Sequence, residues 1–328
     1  MIIDVHGHYT TAPAQLQAFR DAQLSGSSAA MAPVSDDELR ESVEANQLRV
    51  LRERGEDVMI FSPKASGMEH HVSDPVLATA WARAANDLVH RVAELYPETF
   101  MPMAQLPQTP EGNIDGVVAE VRRTVGDLGF VGVNLNPDPS GTWAGRPITD
   151  PSWFPVFEAL QELDAPAMVH VSTACNPNFH TLGAHYLNAD TSVFVQLLQS
   201  DLFARFPSLR LVIPHGGGAV PYHWGRFRGL AMRHGWQDPA ELFGNVYFDT
   251  AVYHQPGIDL LLEVVPADYL LFASEMLGAV RGADPATGVE WDDTLKYLAA
   301  ASLGDTERAK VMAENALRVY PRLAQRLT

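Results

Sequence analysis

The chain has a single cysteine, Cys175, in 328 residues. One thiol can form neither an internal disulfide nor a thiolate zinc site, which needs several sulfurs. Basic residues are also scarce. Only 23 Lys and Arg stand against 40 Asp and Glu, a formal net charge of −17. Nucleic acid needs a basic face, so it is excluded as the main partner. An anionic substrate would need a few well-placed cations against that field. No apolar run is long enough to cross a bilayer, so no membrane association is expected. The first residues lack the basic and apolar regions of a secretion signal, and a reducing cytoplasm is the expected location. There is no low-complexity tract, no fixed-period repeat and no shift in composition that would mark a boundary. One domain over residues 1–328 is therefore expected.

What is present is material for a core: 46% hydrophobic residues against 19% charged. Short runs rich in Val, Ile and Leu fall at 2–5, 58–62, 100–105, 132–135, 167–171, 211–214, 246–249 and 269–273. Such runs suit parallel strands buried on both faces. Helical patterns alternate with them. Ser35 and Glu38 form a capping-box pair ahead of Leu39 and Val43, and Gly55 is a fitting stop. Pro75 and Asp150-Pro151 suit first turns, and residues 291–300 supply a helix after the last run. Eight runs alternating with helices predict a single-domain (β/α)₈ barrel, with an open doubly wound sheet as the alternative. Residues 9–34 and 136–150 read as long rim loops.

The polar residues at the ends of these runs carry the chemistry. Asp4-Val5-His6-Gly7-His8 closes the first run, and strand alternation puts both histidines on one face. His170 ends the fifth run, His215 the sixth and Glu275 the eighth. Barrel enzymes build their sites at the C-terminal ends of strands, so all five residues should meet at one mouth. Three histidines with one carboxylate suit one divalent ion, Zn²⁺ by preference and Mn²⁺ as the alternative. The bland reading, four separate core histidines, requires four coincidences at strand ends. Gly216-Gly217-Gly218 lacks the Lys and Ser/Thr of a phosphate loop and reads as a close backbone approach. His70-His71, beside Met68 and Glu69, has no strand-end context and is not expected to form a second metal site.

The pattern of His-x-His after strand one, His after strands five and six, and an acid after strand eight resembles the amidohydrolase superfamily. More closely, it resembles the branch of decarboxylases and hydratases related to aminocarboxymuconate-semialdehyde decarboxylase. That resemblance implies His6, His8, His170 and Glu275 as metal ligands, with His215 just outside as a proton carrier. The branch commonly has Asp at the last position. Glu275, in Ser274-Glu275-Met276, departs from it and argues against decarboxylation. Residues 1–13, Ser62-Pro63-Lys64-Ala65, Asn176-Pro177-Asn178-Phe179-His180, and the stretches 215–226 and 273–281 resemble the hydratases of the branch. The implied activity is hydration of a conjugated double bond in a small unsaturated polycarboxylate, in aromatic catabolism. A homo-oligomer is also implied.

Such a substrate needs cations and hydrogen-bond donors. Lys64 follows the second run, Asn178, His180, Tyr186 and Asn188 follow the fifth, and Arg281 follows the eighth. His71 is a further rim candidate. Each has a duller explanation: a solvated charge, a turn residue beside Pro177, or a packed ring. Two other readings stay open. One is a decarboxylase or C–C hydrolase on the same scaffold, which CO₂ release would distinguish. The other is a binding protein without catalysis, which metal content would test.

Overall fold

Short apolar runs flanked by turns become strands here because each can be covered on both sides. The computed structural model describes residues 1–72 and 74–327. Its eight strands are Ile3–Tyr9 (β1), Val58–Pro63 (β2), Phe100–Gln105 (β3), Gly132–Leu135 (β4), Ala167–Val169 (β5), Leu211–Ile213 (β6), Val246–Asp249 (β7) and Leu270–Leu271 (β8). They pair in parallel in chain order, β1 through β8. The seam between β8 and β1 is joined where Val5 N–H donates to Phe272 O at 3.0 Å. The (β/α)₈ barrel is the fold observed, and the open sheet is not.

Every strand residue is buried, as parallel strands between two apolar layers should be. Alternation sorts them. Val58, Ile60, Met168 and Val212 point into the barrel, with Ile3, Val5, Met101, Met103 and Leu271. Met59, Phe61, Ala167, Val169, Leu211 and Ile213 face the surrounding helices. Val319, Tyr320 and Leu323, from the C-terminal helices, share the inner layer.

Ser35 and Glu38 make the expected capping box on helix Asp36–Glu44, and Gly55 ends helix Gln47–Arg54 in left-handed backbone. Asp74 caps Pro75–Leu95. The segment 136–150 is irregular, held by Asp138, which accepts from Ser140 Oγ at 2.6 Å and Trp143 N at 3.0 Å. The expectation for 9–34 needs correction, because Ala14–Leu24 is a helix. Pro13 precedes it, no side chain caps it and its first turn has no acid, so the usual start signals are missing. It is fixed by tertiary contact instead: Arg20, fully buried, donates to Met68 O at 3.1 Å. Three strands are also shorter than expected, β5, β6 and β8 ending at Val169, Ile213 and Leu271. After β8, Phe272 leaves the ladder and its N–H donates to Val311 O at 2.9 Å.

Candidate metal centre and active site

β1 brings two imidazoles to the barrel mouth. A register shift between Asp4 and Gly7 lies in this strand. Asp4 accepts from His6 N at 2.9 Å and from Ser274 Oγ, tying the end of β1 to the segment after β8. His6 Nε2 and His8 Nε2 stand 3.1 Å apart, and His170 Nε2 lies 3.3 Å from His8 Nε2. All three rings are buried.

The opposite nitrogens decide what this cluster is. His6 Nδ1–H donates to Asp249 Oδ2 at 2.8 Å. His170 Nδ1–H donates to Val171 O at 2.8 Å. Ser62 Oγ directs its own proton to backbone carbonyls, so at 2.8 Å it accepts from His8 Nδ1–H. With each Nδ1 protonated, the three Nε2 lone pairs face one another. Lone pairs at that separation repel unless a cation sits among them, and outer partners of this kind are what orient metal-binding histidines. Burial, then the charge of the neighbouring imidazoles, holds His8 and His170 well below the ordinary histidine value. The neutral, ligating form is therefore favoured.

Glu275 and His215 complete the cluster. Among the described residues, His6, His170, His215 and Glu275 each place one donor atom within 4.8 Å of the others. That foursome includes His215 and omits His8, whereas the short Nε2 distances include His8. The cluster thus has five donors, and the shortest separations single out His6, His8 and His170. His215 Nδ1–H donates to Asp190 Oδ2 at 2.9 Å, while its Nε2 has no hydrogen-bond partner among the described residues and lies 3.8 Å from Glu275 Oε2. Burial disfavours an imidazolium there, but the Asp190 carboxylate outweighs it and raises His215 to about 9. Tyr253 donates to Glu275 Oε2 at 3.0 Å and fixes that carboxylate.

Glu275 and His215 share a backbone oddity. Their φ angles are 50° and 51°, in the left-handed region that side chains seldom adopt. Such backbone is enriched at functional sites, and Glu69, Asn113, Trp143, Asp164 and Leu277 share it in this chain. Gly278 makes room for this turn, since a Cβ on it would lie 2.6 Å from Glu275 O. The glycine triplet is the close approach expected: a Cβ on Gly217 would meet Phe248 Cε1 at 2.4 Å.

Beside the histidines opens a cavity of about 140 Å³, bordered by His8, Lys64, Ser66, Tyr186, Glu275 and Arg281. The Tyr186 ring packs 5.1 Å from His170 and 5.6 Å from His215. Lys64, Tyr186 and Arg281, each from a segment that follows a strand, thus line one cavity. Asn178, His180 and Asn188 are exposed and do not line this cavity, and Asn178 N–H instead bonds Asn176 Oδ1 in a local turn. His71 is half-buried at the rim, 3.4 Å from Thr173 Oγ1. His70 has both nitrogens engaged, at Leu106 O and Asn136 Nδ2, as a structural histidine. Four participants were not anticipated: Ser62, Asp190, Asp249 and Tyr253. Asp249 ends β7 and carried the same strand-end signal as the histidines.

A parallel eight-stranded barrel with clustered imidazoles and one carboxylate at the strand ends defines the class. The chain belongs to the amidohydrolase family, whose sequence pattern matches residues 3–322. It is 53% identical to 2-keto-4-carboxy-3-hexenedioate hydratase from Sphingobium sp., across 100% of this chain and 98% of that one. The structure of 4-oxalomesaconate hydratase from Rhodopseudomonas palustris superimposes with a TM-score of 0.92 at 48% identity, covering 100% of this chain and 98% of that one. A gamma-resorcylate decarboxylase from Polaromonas sp. is 26% identical over 85% of this chain and 87% of its own length.

Proposed function

We propose that the protein is a metal-dependent hydro-lyase that adds water to 4-oxalomesaconate, also handled as 2-keto-4-carboxy-3-hexenedioate, to give 4-carboxy-4-hydroxy-2-oxoadipate. The two names share one carbon skeleton with the double bond drawn in different positions. The observation that carries the choice of reaction is end-to-end likeness to two hydratases at 53% and 48% identity, against 26% for a decarboxylase. Glu275 in place of the Asp common among the decarboxylases points the same way.

His6, His8, His170 and Glu275 would hold one divalent ion, Zn²⁺ in our reading and Mn²⁺ as the alternative. When bound, the ion supplies Lewis acidity toward oxygen and offsets developing negative charge. The chain's own groups do the rest. Lys64 and Arg281 border the cavity, and neither forms an ion pair with a carboxylate among the described residues. In a chain of net charge −17 they are suited to the substrate's carboxylates. With the double bond conjugated to the ketone, water's oxygen bonds to C4 and Glu275 takes its proton. The alkene electrons move through C3 onto the C2 ketone oxygen as an enolate. His215, kept protonated by Asp190, delivers a proton to C3 as the ketone re-forms.

The test is the ultraviolet absorbance of the conjugated acid with purified enzyme. Hydration removes the conjugation and releases no CO₂. Stoichiometric CO₂ with loss of one carboxylate would establish the decarboxylase reading instead.

A further inference from the structure

Hydration gives two neighbouring side chains opposite tasks: Glu275 takes a proton and His215 delivers one. Glu275 Oε2 and His215 Nε2 are 3.8 Å apart, and Asp190 holds the other nitrogen of the His215 ring at 2.9 Å. In that reading the proton to be delivered sits on His215 Nε2. A carboxylate so close to it, in a buried site of low dielectric, is drawn toward it. If the two met, acid and base would satisfy each other and the space between them would close.

Tyr253 stands on the other side of that carboxylate. Its hydroxyl is 3.0 Å from Glu275 Oε2, the oxygen that faces His215, and 3.0 Å from Ser274 O. Among the described residues no other group donates a hydrogen bond to the Glu275 side chain. Gly278 packs against the same carboxylate, since its added Cβ would lie 3.1 Å from Glu275 Cδ. The tyrosine is itself anchored by the segment that leaves β7. Asp249 Oδ1 accepts from Ala251 N at 3.0 Å and from Gly216 N at 3.2 Å. Thr250 Oγ1 donates to Ala273 O at 3.2 Å and accepts from Ala273 N at 2.9 Å. Val252 N–H donates to Thr250 O at 2.6 Å. Residues 249–253 thus tie the ends of β6, β7 and β8 together, and their last side chain reaches Glu275.

We infer that Tyr253 is a positioning residue that holds Glu275 within the ligand set and off His215, so that base and acid stay apart until substrate lies between them. The inference rests on the hydratase reading for the roles of those two groups. The residue type fits the task. A phenol holds one carboxylate oxygen with a neutral hydrogen bond, whereas Arg or Lys would pair with the charge and quench the base.

The test compares Zn²⁺ affinity, by chelator competition, in the parent, Tyr253→Phe, His215→Asn and the double variant. Tyr253→Phe keeps the ring and removes only the hydroxyl. In the parent background it should weaken Zn²⁺ by about tenfold. In the His215→Asn background it should cost less than about threefold, because the imidazole that would capture the carboxylate is gone. The lost bond to Ser274 O is common to both arms and cancels. In turnover, Tyr253→Phe should lower kcat about tenfold or more with KM within about twofold, which separates it from a substrate contact. Equal loss of Zn²⁺ affinity in both backgrounds would show that Tyr253 merely supports a ligand, and overturns the inference. Parent-like affinity and kcat in Tyr253→Phe overturn it as well. Hydration by the parent tests the hydratase reading on its own, while the affinity comparison needs no turnover, so either can fail without the other.

Discussion

His215 turns its Nε2 toward Glu275 Oε2, 3.8 Å away, while Asp190 Oδ2 holds its other nitrogen at 2.9 Å. One imidazole is thus aimed by an acid that does not itself face the mouth. His215→Asn should keep the metal and lose turnover by about 10²–10⁴-fold, the usual worth of a general acid or base. Asp190→Asn leaves the ring in place but removes the charge that favours its protonated form. Turnover should fall about ten- to a hundredfold with metal content unchanged. Elemental analysis beside steady-state kinetics decides, and a metal-free His215→Asn protein would move His215 into the ligand set.

The three Nε2 atoms make the opposite expectation for their own residues. His6→Ala and His170→Ala should lose metal and activity together, from a parent carrying close to one ion per chain. Asp249 grips His6 Nδ1 at 2.8 Å. Asp249→Asn should weaken metal affinity about ten- to a hundredfold, as loss of an outer hydrogen bond does. Chelator competition measures it, and parent-like affinity would show that Asp249 is not needed to aim the ring.

Glu275 is the departure most worth varying. Glu275→Gln keeps its size and one oxygen but cannot accept a proton. It should retain some metal and lose about 10²–10⁴-fold in turnover. Glu275→Asp should bind metal and hydrate poorly, because the shorter arm misplaces the water. Parent-like hydration by Glu275→Asp would remove any special role for side-chain length.

Lys64 and Arg281 border the cavity from opposite ends of the sequence. Replacing either with Ala should raise KM about ten- to a hundredfold with a smaller change in kcat. Unchanged kinetics in both variants would place the carboxylate contacts elsewhere.

Outside the site, Glu56 is a buried carboxyl with neither oxygen hydrogen-bonded among the described residues. Burial, then the nearby Asp4 charge, raises it from 4.5 to about 9. The folded state thus holds a proton that the unfolded chain releases near 4.5. Its contribution is fully present below that value and is lost as pH climbs toward about 9. Glu56→Gln cannot ionise, so it should raise Tm at pH 8 by on the order of a few degrees and by less at pH 5. Equal shifts at both pH values would mean that ionisation is not the cause.

The barrel was legible because its strands are buried on both faces, so Val58-Met59-Ile60-Phe61 reads as one apolar run whichever side each residue takes. The cluster of His6, His8, His170, His215 and Glu275 was legible because β1, β5, β6 and β8 each deliver side chains at the same end. Asp190 was not. It lies within helix Tyr186–Leu198, and only the approach of that helix to His215 gives it a role. Helix Ala14–Leu24 was hidden for a related reason, since its anchor is Arg20 reaching a carbonyl 48 residues away. Local pattern reports periodicity and caps, while partners brought together by packing leave no trace in a short window.

The seam at Asp4 and Ser274 joins positions 270 residues apart. The first strand of the barrel carries His6 and His8, and Glu275 directly follows Ser274. A chain emerging from the ribosome therefore displays its first two imidazoles early and holds no complete centre until the eighth strand has docked against the first. Loop-closure entropy grows only slowly with such a span, but it must be overcome before the contacts it enables can form. Competence for chemistry and closure of the ring are thus the same event, and a barrel open at this seam has no complete site.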